Sequence, residues 1–359
     1  MKAPEKPIEF PREGSENPPA IEGENMTGTK LAWKVGLFLG LFGALGACGT
    51  TPAPTDSGIT PTDGGGGYPF PELPLATNGT TSNPTAETAN YACVGTETVP
   101  TAGAEITYTF ELRGFGSGDA VSNARVFFFP DNIPQTIDCA AGTCTGSCVT
   151  FMTDAMGNGS VMGPASAWYA YSICPRAGAT MASTYVDSLQ INEGAPGAGG
   201  GSVEGNAVSV STLNLIPAAF GFTRVPTTAI VAGEIHDCDG DAVRGGYIRL
   251  FDGDGDELVS VPDVNDAPHI QYFDGNENPD GSTTFSQVDG LYAAANIPGP
   301  ASGFAPVRVE AYGVIAAGGE PVLLGCESVG VYQNGVSIVN IGPLRSDYPA
   351  GHPCEGVAP

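Results

Sequence analysis

Lysine runs out early. None follows Lys34, so the rest of the chain can hold no P-loop lysine, no Schiff-base lysine and no Ser-Lys dyad. Histidine is scarce, with only His236, His269 and His352. Neither a Gly-x-Ser-x-Gly nor a His-Glu-x-x-His occurs, which removes the local signatures of serine hydrolases and zincins. Long apolar runs are missing too. The longest, Val35 to Leu45, has eleven residues, against roughly 20 for a membrane-spanning helix. Positive charge is nearly absent past residue 47, where eight arginines face 33 acidic residues. That balance leaves no basic footprint for nucleic acid and reads first as a solubility device outside the cell.

What is present begins with that apolar run. Lys30 and Lys34 precede it and Leu45-Gly-Ala-Cys48 ends it. A basic flank, a short apolar core and small residues before a cleavage point are the parts of a secretory signal. With a cysteine next, the stretch resembles the lipobox of bacterial lipoproteins, which implies that Cys48 becomes the lipid-modified first residue. Met26 stands where such a signal should start, so residues 1–25 are read as untranslated or disordered and 26–47 as the signal peptide. Gly49 follows Cys48, and the absence of Asp there implies the outer membrane or cell surface by the usual lipoprotein rule.

Residues 48–90 are rich in Thr, Pro, Gly, Ser and Asn, with four consecutive glycines from Gly64 to Gly67. They read as a flexible tether. Beyond it, short runs of Val, Thr, Tyr and Phe alternate with Gly/Pro/Asp turns, and sustained helical periodicity is missing. The reading is all-β: a first antiparallel β-sandwich over 91–228, a second over 229–344 and an irregular tail, 345–359. Predicted strands include Glu105–Leu112, Val121–Phe129, Ala167–Ile173, Ala229–His236, Val243–Phe251 and Pro306–Tyr312. Asp154-Ala-Met-Gly157 reads as a hairpin connection, Gly194 to Ser202 as a mobile loop, and Leu213 to Phe222 as a place for a helical turn. The two regions share a weak internal repeat in the order of strands and turns.

Setting Cys48 aside leaves Cys93, Cys139, Cys144, Cys148, Cys174, Cys238, Cys326 and Cys354. An even number in an oxidising compartment points to disulfides. Cys238 and Cys326 fall in one predicted domain and are expected to pair, and Cys354 offers a staple for the tail. The cluster Cys139-x4-Cys144-x3-Cys148 lacks paired C-x2-C spacing, which sets zinc behind disulfides.

Two Asp-rich turns carry alternating carboxylates: Asp237, Asp239 and Asp241, then Asp252, Asp254 and Asp256. Such spacing can converge on calcium through oxygen ligands. Neither matches an EF-hand loop, and Asp favours turns for backbone reasons alone. Calcium is the one cofactor left open. Phe127-Phe-Phe129 and Trp168-Tyr-Ala-Tyr171 could form a carbohydrate platform but read better as core.

The second region resembles the carboxypeptidase regulatory-like domain, a transthyretin-like (prealbumin-like) sandwich. The matching words are Ala232-Gly-Glu-Ile-His-Asp-Cys-Asp-Gly-Asp-Ala-Val-Arg-Gly-Gly-Tyr-Ile-Arg-Leu250, Asp289-Gly-Leu-Tyr292 and Val307-Arg-Val-Glu-Ala-Tyr-Gly313. The resemblance implies a non-catalytic accessory module. The same sandwich underlies intradiol dioxygenases, whose iron is held by two Tyr and two His. Here His269-Ile-Gln271 stands where a His-x-His is needed. The expected function is therefore a lipid-anchored structural or binding module. The alternatives are an iron dioxygenase and calcium-dependent adhesion or carbohydrate binding. The expected partners are the membrane, through the lipid, and a cell-surface protein or glycan.

Overall fold

In a computed structural model the chain is described at residues 70–79, 83, 87–115, 117–139, 141–174, 185–260, 264, 266–301 and 303–358. Its first half runs β1 (Glu105–Gly114), β2 (Arg125–Phe129), β3 (Ile137–Asp138), β4 (Thr143–Cys144), β5 (Val149–Met152), β6 (Asn158–Pro164), β7 (Trp168–Cys174), β8 (Ser188–Gly194) and β9 (Ser202–Ala207). Helix α1 (Val210–Ala219) leads into β10 (Thr228–Glu234), β11 (Tyr247–Phe251), β12 (His269–Phe273), β13 (Pro279–Asp280), β14 (Leu291–Pro298), β15 (Ala305–Gly313), β16 (Val322–Val331) and β17 (Val336–Val339).

Nine of these strands form one sheet, in the order β13-β12-β14-β10-β17-β8-β7-β2-β5. It runs through both predicted sandwiches. The joint is β17, the last strand of the second region, which lies between β10 and β8 and pairs parallel with each. The sandwiches are present as expected, but they share this sheet. Three pairings (β10·β17, β8·β17 and β1·β9) are parallel, where a purely antiparallel arrangement was expected.

Strand alternation assigns each face of the long sheet its own cover. On one face Val126, Phe128, Tyr169, Tyr171 and Ile173 meet Tyr108, Phe110 and Leu112 of a three-stranded sheet, β6-β1-β9. The same face continues as Ile230, Leu291, Ala293 and Val336, under α1 with Leu213, Phe220 and Phe222. Ser209 caps that helix by accepting from the Thr212 amide at 3.0 Å. On the opposite face Phe127, Phe129, Leu189, Ile191, Val231 and Tyr292 share a core with Ile248, Leu250, Val307 and Val309 of the sheet β11-β15-β16. Phe127 to Phe129 are fully buried, as are Tyr169 and Tyr171, so the aromatic runs are core on both faces.

Several expectations are corrected. β5 and β6 flank the Asp154 turn without forming a hairpin, because β5 pairs with β2 in the long sheet and β6 with β1 in the small one. Residues 195–201 are tied down by hydrogen bonds from the Ala195 amide to the Ala167 carbonyl and from the Thr109 amide to the Gly201 carbonyl.

The end of the expected tether is also part of the fold. Leu75 bridges Val314, Thr77 bridges Arg244, and Ala76 and Ala89 are buried in the second core. Phe70 packs 4.9 Å from Tyr312 and beneath the Arg249 guanidinium, 4.2 Å from its ring. Bridges at Leu75 and Thr77 on either side of the buried Ala76 let this stretch act as an added edge, which its Pro- and Thr-rich composition hides.

Candidate functional site

The Asp-rich turns are one recurring loop. In Asp154 to Asn158, Asp237 to Asp241, Asp252 to Asp256 and Asp274 to Asn278, the first Asp amide donates to the fifth residue's carbonyl, and the fourth residue's amide returns to the first carbonyl. Oδ1 of the first Asp accepts the third and fifth amides at 2.8–3.1 Å in every case. The fourth position is left-handed, at Gly157, Gly240, Gly255 and Glu277. The first carboxylate thus serves the backbone, as Asp does in turns.

Asp237 does more. Its Oδ2 accepts from the Asn78 side chain at 2.9 Å and from the Asn90 amide at 2.8 Å, and Asp239 accepts from Asn90 Nδ2 at 3.0 Å. Asp237 is 2 % exposed. The turn is therefore the socket into which the entering chain plugs. Burial raises the Asp241 carboxyl above its ordinary range, and the charges of Asp237, Asp239 and Glu87 add to this. Among the described residues, no three His, Cys, Asp or Glu side chains are grouped to hold a metal ion. Asp252, Asp254 and Asp256 form the second loop of this kind, with Oδ1 of Asp252 likewise occupied by amides.

A second polar group lies where β8 and β10 end, and the sequence reading missed it. His236 Nε2 stands 3.2 Å from Glu234 Oε2, and His236 Nδ1 is 3.0 Å from the Gly240 carbonyl. Burial alone would lower the imidazole pKa, but Glu234, Gly240 and Asp237 outweigh it and raise it. Burial lifts Glu193 to about 7, the Glu234 charge adding and His236 opposing. Burial likewise lifts Asp289 to about 7, where the Leu291 amide opposes and the charges of Glu277 and Glu234 add. One buried oxygen of Asp289, Oδ2, has no hydrogen-bond partner. The raised carboxyls of Glu193 and Asp289 tie stability to pH. The signal available in the sequence was a carboxylate inside an apolar strand, as in Val231-Ala-Gly-Glu-Ile235.

The histidines are dispersed. His269 stacks on Phe222 at 4.1 Å and its Nε2 lies 3.0 Å from the Val264 carbonyl. His352 stacks on Tyr348 at 4.8 Å. Each thus has an aromatic or protein-oxygen partner, and among the described residues none belongs to a group of three or more His, Cys, Asp or Glu that could hold a metal ion.

Eight cysteines form four disulfides: Cys93–Cys238, Cys139–Cys174, Cys144–Cys148 and Cys326–Cys354. The expected Cys238–Cys326 pair is wrong. Cys238 sits on the Asp237 socket and meets the entering strand, while Cys326, on the outer side of β16, meets the tail. The last pair staples the tail as expected. The Cys139–Cys148 cluster holds disulfides and no zinc knuckle. Cys48 lies outside the described residues.

No protein-family model matches the chain, and no curated protein matches it. Among solved structures it is similar to the Bacillus anthracis TIE protein, at 10% identity and TM-score 0.19, covering 67% of this chain but only 35% of that one. The shaft pilin SpaA of Lactobacillus rhamnosus GG gives 12% identity and TM-score 0.20 over 68% of this chain and 100% of the pilin. BcpA, the major pilin subunit of Bacillus cereus, gives 10% and 0.20 over 67% and 100%. TM-scores near 0.2 are far below those of two proteins with one fold, so the architecture rests on the strand pairings alone.

Proposed function

We propose that this chain is an exported, lipid-anchored structural or binding module without catalytic activity, held at the bacterial outer membrane or cell surface. The observation that carries the reading is cysteine usage. Eight of nine cysteines are paired, which calls for an oxidising compartment. The ninth, Cys48, stands at the end of the lipobox-like stretch. The transthyretin-like words of the second region support an accessory role. The partners that fit are the membrane, through the lipid, and a cell-surface protein or glycan.

The test is expression from Met26 in a Gram-negative host fed an alkyne-tagged fatty acid. Wild-type protein should take up the tag and fractionate with the outer membrane, and Cys48→Ala should lose both properties. A tag that survives Cys48→Ala, or an untagged wild type, would overturn the reading.

A further inference from the structure

The order of the disulfides along the chain has a mechanical meaning. Cys93–Cys238 spans 145 residues and encloses β1 to β10 and α1, the whole first sandwich. Cys326–Cys354 spans 28 residues and encloses the end of β16 and β17. The three strands at the joint of the long sheet, β8, β17 and β10, therefore all lie inside disulfide-closed loops. The entering chain is fixed beside the first of these staples by Asn78, Asn90 and Asp237.

We propose that these two disulfides are a load bypass. A pull on the anchored end passes through Cys93–Cys238 into residues 239–325 and leaves through Cys326–Cys354. The first sandwich and the joint stay off the load path, so the first sandwich is presented as a folded unit under tension. This rests on the anchored reading, because only an anchored end carries load. The two fail separately, since lipidation is read by labelling and the bypass by extension.

The experiment is single-molecule pulling on the full chain by handles at its two ends, before and after a reducing agent is flowed in. At roughly 3.4 Å per residue, reduction should add about 500 Å of extension for the loop of 145 residues and about 100 Å for the loop of 28. Cys93→Ser/Cys238→Ser should show about 370 Å of the longer gain without reduction, because Cys139–Cys174 still closes 35 of the 145 residues. If that variant fails to fold, reduction of wild type in place still decides. Cys144→Ser/Cys148→Ser, whose loop spans 4 residues, is the control and should leave the trace unchanged. An oxidised chain that extends fully, or a reduced one that gains nothing, would overturn the proposal.

Discussion

The Tyr292 hydroxyl donates to the Val339 carbonyl at 2.8 Å, reaching from β14 across β10 to the joint strand β17. It passes Gly233, where an added Cβ would stand 1.9 Å from the Val339 oxygen and 3.0 Å from the Tyr292 hydroxyl. Removing the hydroxyl with Tyr292→Phe should cost about 1 kcal/mol. Gly233→Ala crowds backbone that cannot yield and should cost about 2–3 kcal/mol. Urea midpoints of the two variants check the order; equal costs would place the contact elsewhere.

A sheet shared by both halves should unfold as one unit. Trp168 is the sole tryptophan after Trp33 and belongs to β7 of the first half. Its fluorescence and the far-UV circular dichroism of the whole chain should trace coincident transitions in urea. Two separated transitions would mean that β17 does not couple the halves.

Stability should fall as pH rises. The carboxyls of Glu193, Asp289 and Glu327 each sit at about 7 when folded, burial being the first cause in each. A carboxyl raised in this way favours folding while protonated, and that contribution is lost between the ordinary carboxylate range and about 7. His236, raised by Glu234, is lost in the same direction, while His352, lowered by burial and Arg345, opposes. Melting should occur at higher temperature near about pH 5 than near about pH 8, and Glu193→Gln should flatten the slope. A melting temperature that rises across this interval would contradict the assignment.

The turn carboxylates serve the backbone, so chelator and added calcium should leave the melting temperature unchanged. Asp252→Ala should cost about 1 kcal/mol through two lost amide contacts, as an emptied cap does. Glu277 holds the left-handed position that glycine fills in the three other loops. Glu277→Gly should therefore stabilise by about 1 kcal/mol. A chelator-sensitive melt would restore the calcium reading.

Period-2 patterning made β1, β11 and β15 legible, because each buries every second side chain against a cover, while β2, β7 and β10 were legible as short apolar runs, because both of their faces are covered. The shared sheet was not legible: nothing local in Val336-Ser-Ile-Val339 says that its neighbours are β10 and the distant β8. The same limit hid the disulfide partners. Cys93 meets Cys238 only because residues 70–79 and 87–90 lie on the second sandwich, and a stretch rich in Thr and Pro reads as tether. The Asp-rich turns and their backbone role were legible, but the docking of Asn78 and Asn90 on Asp237 was not, since those partners lie about 150 residues away in sequence. Glu193 and Asp289 were missed because each meets the charge of Glu234 from a strand far away in sequence.

The most direct test of the account is a disulfide map of the oxidised protein by non-reducing peptide mass spectrometry. The account predicts peptides linked Cys93–Cys238 and Cys326–Cys354, with no free thiol among the eight. A Cys238–Cys326 link, or free Cys93, would contradict both the entry of the chain onto the second sandwich and the bypass built on it.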